Sequence, residues 1–252
     1  MANWSDPRPG TTRPTNSPFG SAARVPVSDV RDEGLRSYML SVYNMMASGV
    51  LLTGVVALVF ALSGYMQLLF NPNTGRPSGL GWIVTFAPLA IVFAMSFGQA
   101  RMQTSTLKAL YWAYAILMGL SLSTVFAAYT GTSVAGAFFA TAAGFAGLSI
   151  YGYTTGRNLS AFGTFLIVGL VGLFVAMILA IWFPVLNPVI SVVGVLLFAG
   201  LTAYDTQRTK NLYFQVAGTG NEDRVVVMSA LSLYLDFINM FLFMLRLFGN
   251  RN

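Results

Sequence analysis

Seven long apolar stretches run through the chain, separated by short polar segments. They fall at about Tyr38–Tyr65, Leu80–Phe97, Leu107–Tyr129, Ser133–Tyr153, Phe162–Phe183, Val189–Leu212 and Val225–Phe248. Each approaches or exceeds the roughly 20 residues that a helix needs to cross the hydrocarbon core of a bilayer. Between them lie turn formers: QLLFNPNTGRPSG (Gln67–Gly79), Thr130-Gly131-Thr132, and PVLNP (Pro184–Pro188). Continuous apolar runs of this length select helices, and in lipid a helix satisfies its own backbone. The expected fold class is therefore an all-α integral membrane protein with seven transmembrane helices.

Polar and small residues inside the stretches refine the picture. Ser41, Asn44 and Ser48 share one face of the first helix, and that face is expected to look into the bundle. Pro88 should kink the second helix. Gly136, Ala140 and Gly144 stand at four-residue spacing in the fourth, the pattern of close helix packing. Tyr65, Trp82 and Trp182 lie at span ends, where an aromatic belt belongs.

Composition supports the membrane assignment. Of the residues, 56% are hydrophobic and 9% charged, against roughly 25% charged in soluble domains. There is no cysteine and no histidine, which removes disulfides, thiolate chemistry, the commonest metal ligand and the usual pH switch. The net charge of +6 does not point to nucleic acid, because the basic residues are spread over short loops. Arg8, Arg13, Arg24, Arg31 and Arg36 precede the first span or open it. Arg101, Lys108, Arg157, Arg208, Lys210 and Arg224 fall on the same side, and only Arg76, Arg246 and Arg251 on the other. The excess predicts a cytoplasmic N-terminus and an external C-terminus. Residues 1–35, rich in Pro, Gly, Ser and Thr, are expected to form a disordered cytoplasmic tail, and residues 36–252 the seven-helix domain. No cleavable signal peptide is expected in the tail, which has no apolar core.

Only two carboxylates fall within spans, Asp205 in the sixth and Asp236 in the seventh. Charge at membrane depth is costly and marks function. Both aspartates lie in the cytoplasmic halves of helices joined by a short loop, so they are expected to meet. Thr202, Asp205 and Thr209 share one stripe; Ser229, Ser232, Asp236 and Asn239 share another. Two carboxylates in a low-dielectric site do not both stay charged cheaply, so the pair is expected to share a proton. Arg101, in a loop on the same side, and Arg208, three residues after Asp205, are the candidate cationic partners. Protonation would then decide between an arginine-paired, closed arrangement and a loosened one. The same carboxylates, with Asn239, nearby hydroxyls and carbonyls, suit a hard cation such as calcium. Asn44, Ser232, Asn239 and Thr202 are candidate polar lining.

The segments FAGLTAYDTQRTK (Phe198–Lys210) and ALSLYLDFINMFLFMLRLFG (Ala230–Gly249) resemble those of the Bax inhibitor-1 family, in its bacterial YccA-like branch. The likeness runs from about Arg36 to Gly249. It implies a seven-helix fold with the last helix central and ringed by the other six. It implies that Asp205 and Asp236 form a pH-sensitive pair associated with a calcium leak. It casts Arg101 as a latch on the first aspartate and Arg246 as part of a second gate, although the second span has no acidic residue to meet Arg246. It also implies, for some bacterial members, binding to a membrane-bound AAA protease.

The leading expectation is a pH-modulated calcium or cation leak channel of the bacterial inner membrane, without enzyme activity or cofactor. The alternative is a membrane interaction protein that regulates such a protease or a stress response. An intramembrane aspartyl protease is disfavoured, because Asp236 follows Tyr234 and Leu235 rather than a Gly-x-Gly motif. A proton-coupled transporter would call for paired broken helices, and no such symmetry is visible.

Overall fold

The computed structural model describes residues 27–71 and 76–251, with side chains from residue 32 onward. The described residues form seven α-helices: α1 (Val27–Leu62), α2 (Gly79–Gly98), α3 (Thr104–Ala128), α4 (Gly131–Thr154), α5 (Ser160–Leu179), α6 (Asn187–Val216) and α7 (Glu222–Phe248). All seven contain a stretch long and apolar enough to cross a membrane. Local chemistry sets the ends. The Ser78 hydroxyl accepts from the Gly81 amide at 3.0 Å and starts α2. Thr130 does the same for α4, accepting from the Ser133 amide at 3.3 Å. Gly218 and Gly220, at φ 75° and 73°, turn the chain sharply between α6 and α7.

The expected tail lies outside the described residues up to residue 26. From Val27 onward the chain is already helical, so α1 starts nine residues before the expected domain boundary at residue 36. Pro26 is the last proline before α1, and nothing after it stops a helix. The early turns are also docked: Leu35 is buried, the rings of Tyr38 and Tyr213 lie 5.4 Å apart, and a side chain at Gly34 would collide with the Tyr213 hydroxyl of α6. Pro88 is buried inside α2, which continues unbroken across it.

α7 is the inner helix. In it 61% of the span is buried, against 17% in α5. It packs on α1, α3, α4 and α6, while α2 packs on α3 and α5 on α6. The last helix is thus central as expected, but its inner ring has four helices rather than six. Elsewhere large apolar side chains face outward, among them Leu51, Phe97, Val168 and Ile181. That is how a lipid-facing surface is built. Tyr65, Trp82 and Trp182 are exposed near span ends, as a belt requires.

Two expected inward faces turn out to look outward. Ser41, Asn44 and Ser48 are exposed on α1, whose packed positions are Leu35, Tyr38, Met39, Val42 and Met46. Gly136, Ala140 and Gly144 are exposed on α4, and a Cβ at Gly136 or Gly144 would meet nothing within 4 Å. The close approach on α4 is made instead by Gly152, where a Cβ would run into the backbone carbonyl of Ala203 in α6. On α3, Gly119 plays this part, with the Thr53 carbonyl of α1 2.8 Å from where its Cβ would stand.

Candidate functional site: an aspartate pair at a polar cavity

The short, glycine-turned loop makes α6 and α7 antiparallel neighbours. α6 runs one turn beyond its expected end at Leu212, to Val216. Asp205 is thus about three turns from the end of α6, and Asp236 about four turns from the start of α7. The matched depth read from the sequence is retained. The two carboxylates come close enough for the charge of Asp205 to be felt at Asp236.

Their surroundings differ. Asp205 is half-buried and lines a cavity of about 210 Å³ together with Thr209 and Arg208 of α6, Arg224, Ser229 and Ser232 of α7, and Gln99 after α2. Asp236 does not line this cavity but follows Ser232, which does, by one turn of α7; it is 4% exposed, and its Oδ2 is buried without a hydrogen-bond partner among the described residues. An orphaned carboxylate oxygen at such depth carries a desolvation cost, which a proton, a water or an ion would relieve. Beyond Asp236, Phe237, Phe241 and Leu245 pack α7 into the bundle.

The arginines are distributed differently from the expectation. Arg208 interacts electrostatically with Asp205. Arg101 is exposed, does not line the cavity, and makes no close ion pair among the described residues. The loop holding it instead presents Gln99 to the cavity and the Met102 carbonyl to Arg224, whose Nη2 donates to it at 2.9 Å. Arg224 is thus the residue that sequence reasoning missed, having counted it only for topology. Its Nε is buried without a partner. The signal was present in the four-residue spacing of Arg224, Met228 and Ser232, all of which line the cavity. Arg246 is exposed near the far end of α7, its guanidinium 5.6 Å from the Phe243 ring, and does not meet the pair.

Of the expected polar lining, only Ser232 reaches the cavity. Asn44 is exposed on α1, on the outer face described above. Thr202 is buried and donates to the Phe198 carbonyl of its own helix at 2.8 Å. Asn239 donates likewise to the Leu235 carbonyl, also at 2.8 Å. Both satisfy themselves locally, as Ser, Thr and Asn in apolar helices do. No group of three or more acidic, histidine or cysteine side chains gathers to hold a metal ion among the described residues. The carboxylate of Asp205 and the hydroxyls of Thr209, Ser229 and Ser232 bring five side-chain oxygens to the cavity, short of the 6–8 of a tight calcium site unless Asp236 or water adds to them.

Fold and site together define a polytopic α-helical membrane protein whose inner helix carries a buried acid facing a second acid. Residues 35–252 match the family described as inhibitor of apoptosis-promoting Bax1. The chain belongs to this Bax inhibitor-1 family. Among its relatives is the inner membrane protein YbhL of Escherichia coli K12, 42% identical over 223 residues, which cover 86% of this chain and 93% of YbhL. An uncharacterized protein of Caulobacter vibrioides is 45% identical, covering 86% of this chain and 90% of its own length. One of Rickettsia prowazekii is 41% identical, with 87% and 92% covered.

Proposed function

We propose that the protein is a pH-modulated cation leak channel of the bacterial inner membrane, passing calcium, with Asp205 and Asp236 as its gate. The observation that carries this is the orphaned, buried carboxylate of Asp236 within electrostatic reach of Asp205, which lines a polar cavity. A cation entering that cavity meets Asp205 together with Arg208 and Arg224 in its lining. While Asp205 is ionised, Arg208 is held toward it and the entrance stays closed. A proton on the pair removes that attraction and loosens α6 against α7. Flux therefore rises as pH falls through the titration of the pair. The location draws on YbhL, an inner membrane protein, and the orientation on the distribution of basic residues.

The test is calcium entry into liposomes carrying a trapped indicator dye, between about pH 5 and 8, as free calcium at micromolar to millimolar levels spans the range of sensor and weak sites. Asp205→Asn and Asp236→Asn, alone and together, should conduct with no pH dependence. No flux above protein-free liposomes at any pH would overturn the channel.

A second function, regulation of a membrane-bound protease by contact, draws support from α1. Its Ser41, Asn44 and Ser48 are exposed at membrane depth, where polar groups gain from a neighbouring helix. Replacing these three by leucine would abolish such regulation and leave calcium flux unchanged.

A further inference from the structure

α1 and α4 both pack on α7, but they stand apart from each other. The gap is a groove of about 860 Å³ that opens sideways from the bundle and is floored by Phe237 of α7. This volume falls within the roughly 300–1,000 Å³ of small-molecule sites. Its walls are apolar almost throughout: Tyr43, Met46 and Val50 on one side, Phe138, Phe145 and Ile150 on the other. The Phe138 and Phe145 rings each stand 5.6 Å from Phe237, edge to face. Along α1 the groove runs from Arg36 to Leu51, about 22 Å of helix, more than the about 15 Å depth of one leaflet.

One end is polar and cationic. Arg36 lines it and is exposed. Asp32 and Glu33 stand one turn earlier on α1, yet neither makes a close ion pair with Arg36. Tyr153, at the same end of the opposite wall, holds a second cation. Lys210 of α6 donates to the Tyr153 carbonyl at 2.8 Å and its Nζ lies 4.8 Å from the ring centre. An apolar trough longer than one leaflet, with Arg36 at its mouth and Lys210 held against Tyr153 at the same end, complements the shape and charge of an anionic phospholipid.

We propose that the α1–α4 groove is a site for one anionic phospholipid, its phosphate at Arg36 and an acyl chain laid along Phe145 and Phe237. The lipid belongs to the leaflet on the side where α1 begins. It fills a gap that would otherwise leave the inner helix bare on one flank, and it bears on α7 one residue from Asp236. The site stands independently of conduction.

The test is native mass spectrometry of the full-length protein, delipidated in mild detergent and then supplied with phosphatidylglycerol or phosphatidylethanolamine. The wild type should retain one phosphatidylglycerol, about fivefold in preference to phosphatidylethanolamine, from the charge contact at Arg36. Arg36→Gln should remove that preference and Arg36→Lys keep it. Ala146 and Ala47 line the groove and are exposed, so Ala146→Trp and Ala47→Phe can fill it from either wall without invading packed helices. Either variant, with an unchanged thermal midpoint, should lose the bound lipid. Equal retention of the two lipids, indifference to Arg36→Gln, or lipid persisting in both filled variants would overturn the proposal. So would a dimer lost on filling, which would assign the groove to a second copy.

Discussion

The two sides of α7 treat buried polar groups in opposite ways. Tyr234 and Asp236 are two residues apart and so about 200° apart around the helix. On the Tyr234 side, every step of a hydroxyl chain is closed. The Thr53 hydroxyl donates to the Ala115 carbonyl at 2.8 Å, which leaves Tyr234 to donate to Thr53 at 2.6 Å. Tyr111 donates to the Met45 carbonyl at 2.9 Å, and the Tyr114 ring meets Tyr234 edge to face at 5.2 Å. This side ties α1, α3 and α7 into one block. On the Asp236 side a carboxylate oxygen is left open, and a cavity separates the loop ends of α6 and α7. A satisfied polar network stiffens a bundle, whereas an unsatisfied acid is a place where a proton or a cation can act. The difference sets a hydrogen-bonded side of α7 against a side that holds an unpartnered acid.

The largest expected effect falls on the open side. Asp205→Asn with Asp236→Asn should collapse a flux ratio across two pH units from about tenfold, the effect of about 1.4 kcal/mol, to about one. Liposome calcium flux measures this. Flux that remains pH-dependent in the double variant would break the contrast between the two sides.

On the same side, Arg224→Gln should loosen the link between α7 and the α2–α3 loop and raise flux at high pH. Arg101→Gln should leave flux unchanged. A reversed order would restore Arg101 as the latch and make its exposed position the resting state only.

The closed side should respond in stability and not in pH dependence. Thr53→Val removes the partner of a buried Tyr234 hydroxyl and should cost about 1–3 kcal/mol, read as a lower thermal midpoint in detergent. Tyr234→Phe removes the hydroxyl itself and leaves Thr53 bonded to Ala115, so its cost should be about 1 kcal/mol or less. A shift in the pH profile with either variant would show that the two sides are coupled.

The smallest effect is expected at Lys108–Asp223, a 2.7 Å ion pair whose side chains are 45% and 70% exposed. Lys108→Gln should change the thermal midpoint by the equivalent of about 0.5 kcal/mol or less, and less still at high salt.

The number, order and helical nature of the spans were legible in the residues, because hydrocarbon admits little else over such lengths. So was the placement of Asp205 and Asp236 at similar depth on neighbouring helices. Depth along two helices follows from counting residues, and a short loop makes the helices neighbours. The outward rotation of Asn44 was not legible, nor the wrong choice of glycines on α4. In water the apolar stripe of a helix reveals its buried face; in a bilayer Leu51 faces lipid as comfortably as Val42 faces the core. Small and hydroxylated residues then sit on either side at little cost, and Gly136 and Gly152 look alike in the chain.

The sequence by itself therefore determined a seven-span membrane protein with two acids at matched depth, because transfer energies and residue counts depend on the chain alone. The tertiary structure decided which helix became the inner one, that four helices ring it, and that Arg224 rather than Arg101 borders the cavity. It also left the groove between α1 and α4. Those outcomes depend on how rotated, closely fitting helices share their contacts, and no single helix carries that information.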